Sequence, residues 1–276
     1  MQEAARPLNR DRLSVLIAVL LLGNVLFRFI ELPQHVVQLH PLGSPLVIEI
    51  TGTWLLVTLM VALVCTGTNW VIYDHPSLGK IRERPLYVSW ILPGLLAGLS
   101  AFTLGYAPNW QLWITGLAAV AIGISLTIAD EYTVVDPDWP GYPMARLRLN
   151  VLAYLLAFTL FILIYQSRAR SLLTATGAGF VAGLVALDLL TGSELPLRRV
   201  YLFAGIIALI SGEVTWALNY WRVSAWVGGL GLLLVFYITT NVSHQHLLGR
   251  LKLATAIEFA VVALVVLAVI VARVYI

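Results

Sequence analysis

Among the ionisable side chains that fall inside long apolar runs, Arg28, Glu49 and Glu213 stand out. A charge in hydrocarbon is costly, so such residues pair with one another or line a polar site or pathway. Arg28 lies about 15 residues into its run and Glu213 about 13 into its own, which at about 1.5 Å per residue places both roughly 20 Å from the same side. Glu49 enters its run from the opposite side at a comparable level, with Glu31, His35 and His40 just beyond. Arg28 and Glu213 are therefore expected to pair, directly or through one polar group. Together with Glu49 they could line an outward-facing pocket. The plainer alternative is a structural ion pair, with the other glutamates reaching the head groups.

A second set gathers where apolar runs end on the other side. His75, Glu131, Asp136 and His244 lead it, accompanied by Asp74, Asp130, Asp138, Asp188, His246 and Glu258. Carboxylates and imidazoles together can hold a divalent ion, with hard oxygen ligands suiting Mg²⁺. Such an ion would hold a lipid diphosphate or assist hydrolysis. No pair has a diagnostic metal-ligand spacing, so the metal assignment stays open. His244 and His246 are two apart, which would point them away from each other on a helix. Solvated loop charges and helix caps are the plain alternative.

The elements that must position these groups are long apolar helices. Hydrophobic residues make up 60% of the 276 residues and charged residues 11%, against about a quarter charged in ordinary soluble domains. Mean hydropathy is +0.89. About nine runs are long enough to cross a bilayer: 12–30, 47–73, 86–106, 109–129, 147–166, 170–190, 198–221, 223–242 and 253–274. Helix is forced in each, because lipid cannot bond free backbone groups, and the runs are too long and continuous for barrel strands. The expectation is an all-α polytopic transmembrane bundle of about nine helices. Residues 1–11 form a short N-terminal segment and 12–276 a single transmembrane domain. The first run is long for a signal peptide, contains Arg28 and is followed by no clear cleavage site, so it reads as a retained helix.

With the N-terminus in the cytoplasm, twelve of the 17 Lys and Arg residues fall on inside segments and four outside, Arg28 being in the membrane. That is the positive-inside bias, and it puts the C-terminus outside. Trp70, Trp90, Trp110, Trp113, Trp139, Trp221 and Trp226 lie near span ends, where interfacial anchors belong. Two small-residue stretches, Gly94 with Gly98 and Gly179 with Gly183, have the spacing that lets helix backbones approach, and membrane-embedded protein partners could use them. Pro93 should kink the third span. No internal repeat is evident, and nine spans do not halve evenly, which weakens an inverted-repeat transporter.

Other classes are excluded. The net charge of +3 carries no basic stripe, so nucleic acid is not a partner; membrane lipids are. Cys65, the only cysteine, allows no internal disulfide. There is no P-loop, nucleophile elbow, zincin motif or dinucleotide glycine pattern, and no cofactor is expected. The nine-span plan with inner acidic loops is similar at fold level to UbiA-type prenyltransferases. However, Asp74-His75-Pro76 and Asp188 to Glu194 lack their paired Asp-rich motifs.

Several local phrases carry a closer resemblance. They are Gly67-Thr68-Asn69-Trp70 with Asp74-His75-Pro76, Glu131-Tyr132, Gly212-Glu213-Val214-Thr215-Trp216-Ala217-Leu218-Asn219-Tyr220-Trp221, and Phe236-Tyr237. Together they resemble an uncharacterised family of bacterial multi-pass membrane proteins of Chloroflexota type. The resemblance implies a bacterial inner-membrane protein and brings no activity with it. Three functional classes follow: a membrane-embedded binding or accessory protein, ranked first; a transporter or permease for a small solute, ion or lipid using Arg28, Glu49 and Glu213; and a lipid-processing enzyme at the cytoplasmic interface. Whether the chain is an enzyme is left open, with the balance against it.

Overall fold

The computed structural model describes residues 8–30, 35–39, 46–77, 85–167, 169–191, 196–221 and 223–249, with residues 257, 261, 264 and 268 beyond them. The chain divides into two compact units, Met1–Leu149 and Asn150–Ile276.

Apart from one hairpin, the described secondary structure is helical. The helices are α1 (Arg10–Phe29), α2 (Gly52–Ile72), α3 (Ile91–Leu104), α4 (Trp110–Thr133), α5 (Tyr142–Gln166), α6 (Ser171–Thr191), α7 (Leu197–Asn219) and α8 (Ala225–Leu247). With the 3-10 turn Leu86–Trp90 counted into α3, eight helices among the described residues are long and apolar enough to cross a membrane. These match the first eight expected spans. The ninth, 253–274, lies outside the described residues except for Ile257, Val261, Leu264 and Ala268. Those four are helical, exposed and spaced along one helix face.

The chemistry of an apolar surround is visible in the side chains. Large hydrophobics point outward along these helices; Leu126 and Leu202 are each 61% exposed. Hydroxyls fold back onto their own helix, as Thr58 does to the Trp54 carbonyl, Thr66 to Ala62, Thr159 to Leu155 and Thr239 to Val235. That bond gives a hydroxyl a partner where no water is at hand.

Three boundaries differ from the sequence reading. Residues 46–50, expected to begin the second span, form strand β2 (Leu46–Ile50), paired antiparallel with β1 (His35–Leu39). Hydropathy reads Val47, Ile48 and Ile50 as helix, but the β-branched alternation around Glu49 suits a strand. The fourth helix continues past the expected end at 129 through Asp130, Glu131 and Tyr132 to Thr133. Pro93 sits in the first turn of α3, where a missing N–H costs little. The break it enforces takes the form of the preceding 3-10 turn.

In unit 1, α1, α2, α3 and α4 enclose a core of Leu16, Leu20, Leu56, Met60, Val64, Val71, Ala97, Ala101, Ile124, Ile128 and Tyr132. Gly94 and Gly98 lie against α2: a Cβ on them would stand 3.0 Å from Cys65 Sγ and 3.1 Å from Val61 Cγ2. In unit 2, α6 and α7 touch backbone to backbone. A Cβ on Gly179 would stand 2.8 Å from the Ala208 carbonyl oxygen, and one on Gly183 3.0 Å from Ala208 Cβ. Both small-residue faces thus pack within the chain. Gly228 and Gly229 similarly admit the Tyr165 ring and the Ile162 side chain, bringing α8 onto α5.

The Gly179 contact predicts a specific asymmetry. Gly179→Ala pushes a methyl into a carbonyl that cannot rotate away, and should destabilise the purified protein by about 1–3 kcal/mol. Gly205→Ala on α7, where nothing lies within 4 Å of the new methyl, should be neutral or stabilising. Thermal unfolding in detergent reads both.

Candidate functional site

Unit 1 has two chemically distinct ends. At one, the start of α1 meets the ends of α2 and α4. Arg12 donates to Asp74 Oδ2 and to the Trp70 carbonyl, each at 2.7 Å. Its guanidinium also lies 4.9 Å above the Trp70 ring. A cation here satisfies an orphan carbonyl at the C-terminus of α2 and meets the negative end of its dipole. Asp130 on α4 accepts a two-pronged bond from Arg148 on α5, through Nε at 2.8 Å and through Nη2. The Asp130 side chain is 10% exposed, that of Arg148 57%.

Between these pairs sits His75, just past α2 and buried. Its ring packs edge-on against Tyr132 at 4.5 Å and against Trp139 at 5.9 Å. Nδ1 accepts from the Ser77 N–H at 3.2 Å, while Nε2 is buried with no partner among the described residues. Ser77 Oγ donates to Asp136 Oδ2 at 2.7 Å, and the Asp138 N–H donates to Asp136 Oδ1. His75 and Asp136 are therefore brought together through Ser77, which donates its N–H to the imidazole and its hydroxyl to the carboxylate. Burial lowers the His75 pKa, and the Asp136 carboxylate offsets part of that shift.

Glu131 is fully buried on the last turn of α4. His244 is on the last turn of α8, in unit 2, beside His246, whose ring meets Phe203 at 5.7 Å. No group of three or more His, Cys, Asp or Glu side chains among the described residues is arranged to hold a metal. The close geometry at this end is that of a clamp: two ion pairs and a buried imidazole that fasten α1, α2, α4 and α5.

The opposite end holds a cavity among the described residues. A cavity of about 260 Å³ lies between the end of α1, the start of α2, the end of α3 and the start of α4. Arg28, Asn24, Thr51, Gly52, Thr53, Leu104 and Trp113 are among its lining residues. Thr51 is the N-cap of α2 yet makes no side-chain capping bond. Asn24, buried within α1, donates to the Leu20 carbonyl and to Met60 Sδ. Arg28 is exposed on the last turn of α1 and makes no ion pair among the described residues. Trp113, read from sequence as an interfacial anchor, is 5% exposed and forms part of the wall.

The other two intramembrane candidates fall elsewhere. Glu49 stands on β2 opposite Val36, two residues before Thr51. Glu213 is exposed on α7 in unit 2, so its expected pairing with Arg28 would join residues of separate units. The sequence reading missed Arg12, Asp74, Asp130 and Arg148 as partners and Asn24 and Trp113 as lining. The arginines had been counted only as topology charges.

Two consequences can be measured. Removing Arg148 strands a mostly buried carboxylate, whereas removing Asp130 leaves an arginine that solvent can reach. Arg148→Met should therefore lower stability more than Asp130→Asn, by about 1–3 kcal/mol. Comparing the two melting curves reads the difference. Separately, with the His75 pKa below the unfolded value of about 6.5, the unfolded chain binds more protons in between. Stability should be whole above about pH 6.5 and decline as pH falls below it, by at most about 1.4 kcal/mol per pH unit from this group. His75→Phe, which keeps a packed ring but cannot titrate, should flatten that part of a stability profile taken from pH 7.5 to 5.5.

No curated protein and no solved structure matches the chain. A family model described as a protein of unknown function, DUF5656, matches residues 32–273. The match starts after α1, so Arg12, Asn24 and Arg28 precede it, while the hairpin, α2 to α8 and the His75 turn lie within it. The chain therefore belongs to the DUF5656 family of proteins of unknown function.

Proposed function

We propose that this protein is a membrane-embedded binding component of the bacterial inner membrane, with its N-terminus in the cytoplasm and its ligand site in the Arg28 cavity. The orientation rests on the lysine and arginine distribution, which places the Arg12 and Arg148 end inside and the cavity outside. The bacterial assignment rests on the family resemblance in the sequence.

One observation carries the binding role: the cavity has a polar wall and a packed floor. Beneath Asn24 come Leu20 and Met60, at 4% and 1% exposure, and Val64, with none. A carrier needs a route past this level, and within unit 1 these side chains fill it. A polar pocket closed below and open at a helix end suits holding a ligand more than passing one. The apolar rim supports a ligand taken from the membrane, since Phe29, Ile30, Trp54 and Trp110 are all exposed beside it.

Native mass spectrometry of the gently extracted protein tests this. The wild type should carry a bound amphiphile, and Thr53→Trp, which fills the cavity from its wall, should lose it while keeping its melting temperature within a few degrees. A wild type that carries no adduct, and instead equilibrates a solute across reconstituted vesicles, would replace binding with transport.

A further inference from the structure

The cavity wall has more chemistry than a generic lipid site requires, and resting on the binding role above, it identifies the group bound. We infer that the Arg28 cavity recognises the phosphate ester of a hydroxyl-bearing head group. Three features converge on it. Arg28 offers a guanidinium fork with no ion-pair partner among the described residues, and such a fork matches phosphate oxygens two at a time. The first turn of α2 lines the same space through Thr51, Gly52 and Thr53. Thr51 leaves that turn without a side-chain cap, so the positive end of a 21-residue helix lies at the cavity wall.

The third feature is independent of charge. Asn24 is 7% exposed, and both bonds it makes are donated by Nδ2. Its carboxamide oxygen accepts from no described residue, yet the side chain lines the cavity. As a side chain on the cavity wall, it can accept a bond from a donor on the ligand. An anion alone supplies none, whereas a hydroxyl beside the phosphate does.

Size sets the extent of what enters. At about 30 Å³ per water, 260 Å³ holds roughly nine water volumes, enough for a phosphate and a short polyol but not for acyl chains. The chains of a lipid ligand would lie outside, along Phe29 and Trp54. The same phosphate ester can come from a lipid or from a soluble polyol phosphate.

The test uses the full-length protein in detergent and three probes: a short-chain phosphatidylglycerol, the diacylglycerol with the same chains, and glycerol phosphate. Binding is read from the concentration dependence of the melting temperature. Phosphatidylglycerol should stabilise the wild type and diacylglycerol should not. Arg28→Gln should weaken the phosphatidylglycerol response about tenfold or more. Its unliganded melting temperature should be unchanged, because Arg28 is exposed and makes no ion pair among the described residues. Asn24→Leu should weaken phosphatidylglycerol more than the same lipid with its glycerol hydroxyls methylated. A stronger response to phosphatidylglycerol than to glycerol phosphate assigns a lipid source, and equal responses assign a soluble ester. An Arg28→Gln response equal to wild type, or stabilisation by diacylglycerol as strong as by phosphatidylglycerol, overturns the inference. If Thr53→Trp still removes a bound neutral amphiphile in that case, the binding role stands and only the phosphate assignment falls. If Thr53→Trp removes nothing, the binding role falls with it.

Discussion

A peptide group in hydrocarbon has no water to bond, so each must find its partner inside its own helix. That constraint produces the long uninterrupted helices and turns threonine hydroxyls back onto the preceding turn. It also concentrates the remaining chemistry at helix ends, where orphan N–H and C=O groups persist. In unit 1 the two kinds of end are treated differently. The carbonyl end of α2 is closed by Arg12, and α4 is tied to α5 by Asp130 with Arg148. The amide end of α2 has no side-chain cap and lies beside a cavity lined by Arg28, which makes no ion pair among the described residues. One end is fastened and the other is available.

The packing between them explains why availability does not extend through the unit. Small residues let helices approach until little space remains. Gly23 takes Met60 and Gly67 takes Leu16, each against the position a Cβ would occupy. Asn24 is the last polar side chain above that seal, and its bond to Met60 Sδ ties the cavity floor to the core. Unit 2 uses the same device more severely at Gly179, where the approach is backbone to backbone. Tyr165 there bonds the Leu218 and Trp221 carbonyls and closes the end of α7 much as Arg12 closes that of α2.

The helices were legible because apolar length is a strong signal that needs no partner to be read. The errors have physical causes. Residues 47–50 are as apolar as a helix start, and only pairing with residues 35–39 reveals a strand. Asp130 and Glu131 end the apolar run but not the helix, because hydrogen bonding ignores the sign of a side chain. Arg28 was legible as a candidate through its cost in lipid, and it lines a cavity. Arg12 with Asp74, 62 positions apart, was not, since sequence carries no signal for which distant carboxylate an arginine meets. Trp113 reads like its neighbour Trp110, yet one is 5% exposed and the other 52%. Only the packing of α4 on its neighbours separates them.

The account depends most on which end of unit 1 faces out. In a Cys65-free background, single cysteines at Asn109, beside the cavity end of α4, and at Asp138, in the turn beside His75, can be probed in intact cells with an impermeant thiol reagent. The account predicts that Asn109→Cys labels from outside and Asp138→Cys labels only after the membrane is broken. Labelling of Asp138→Cys in intact cells, with Asn109→Cys protected, would place the cavity on the cytoplasmic side and contradict it.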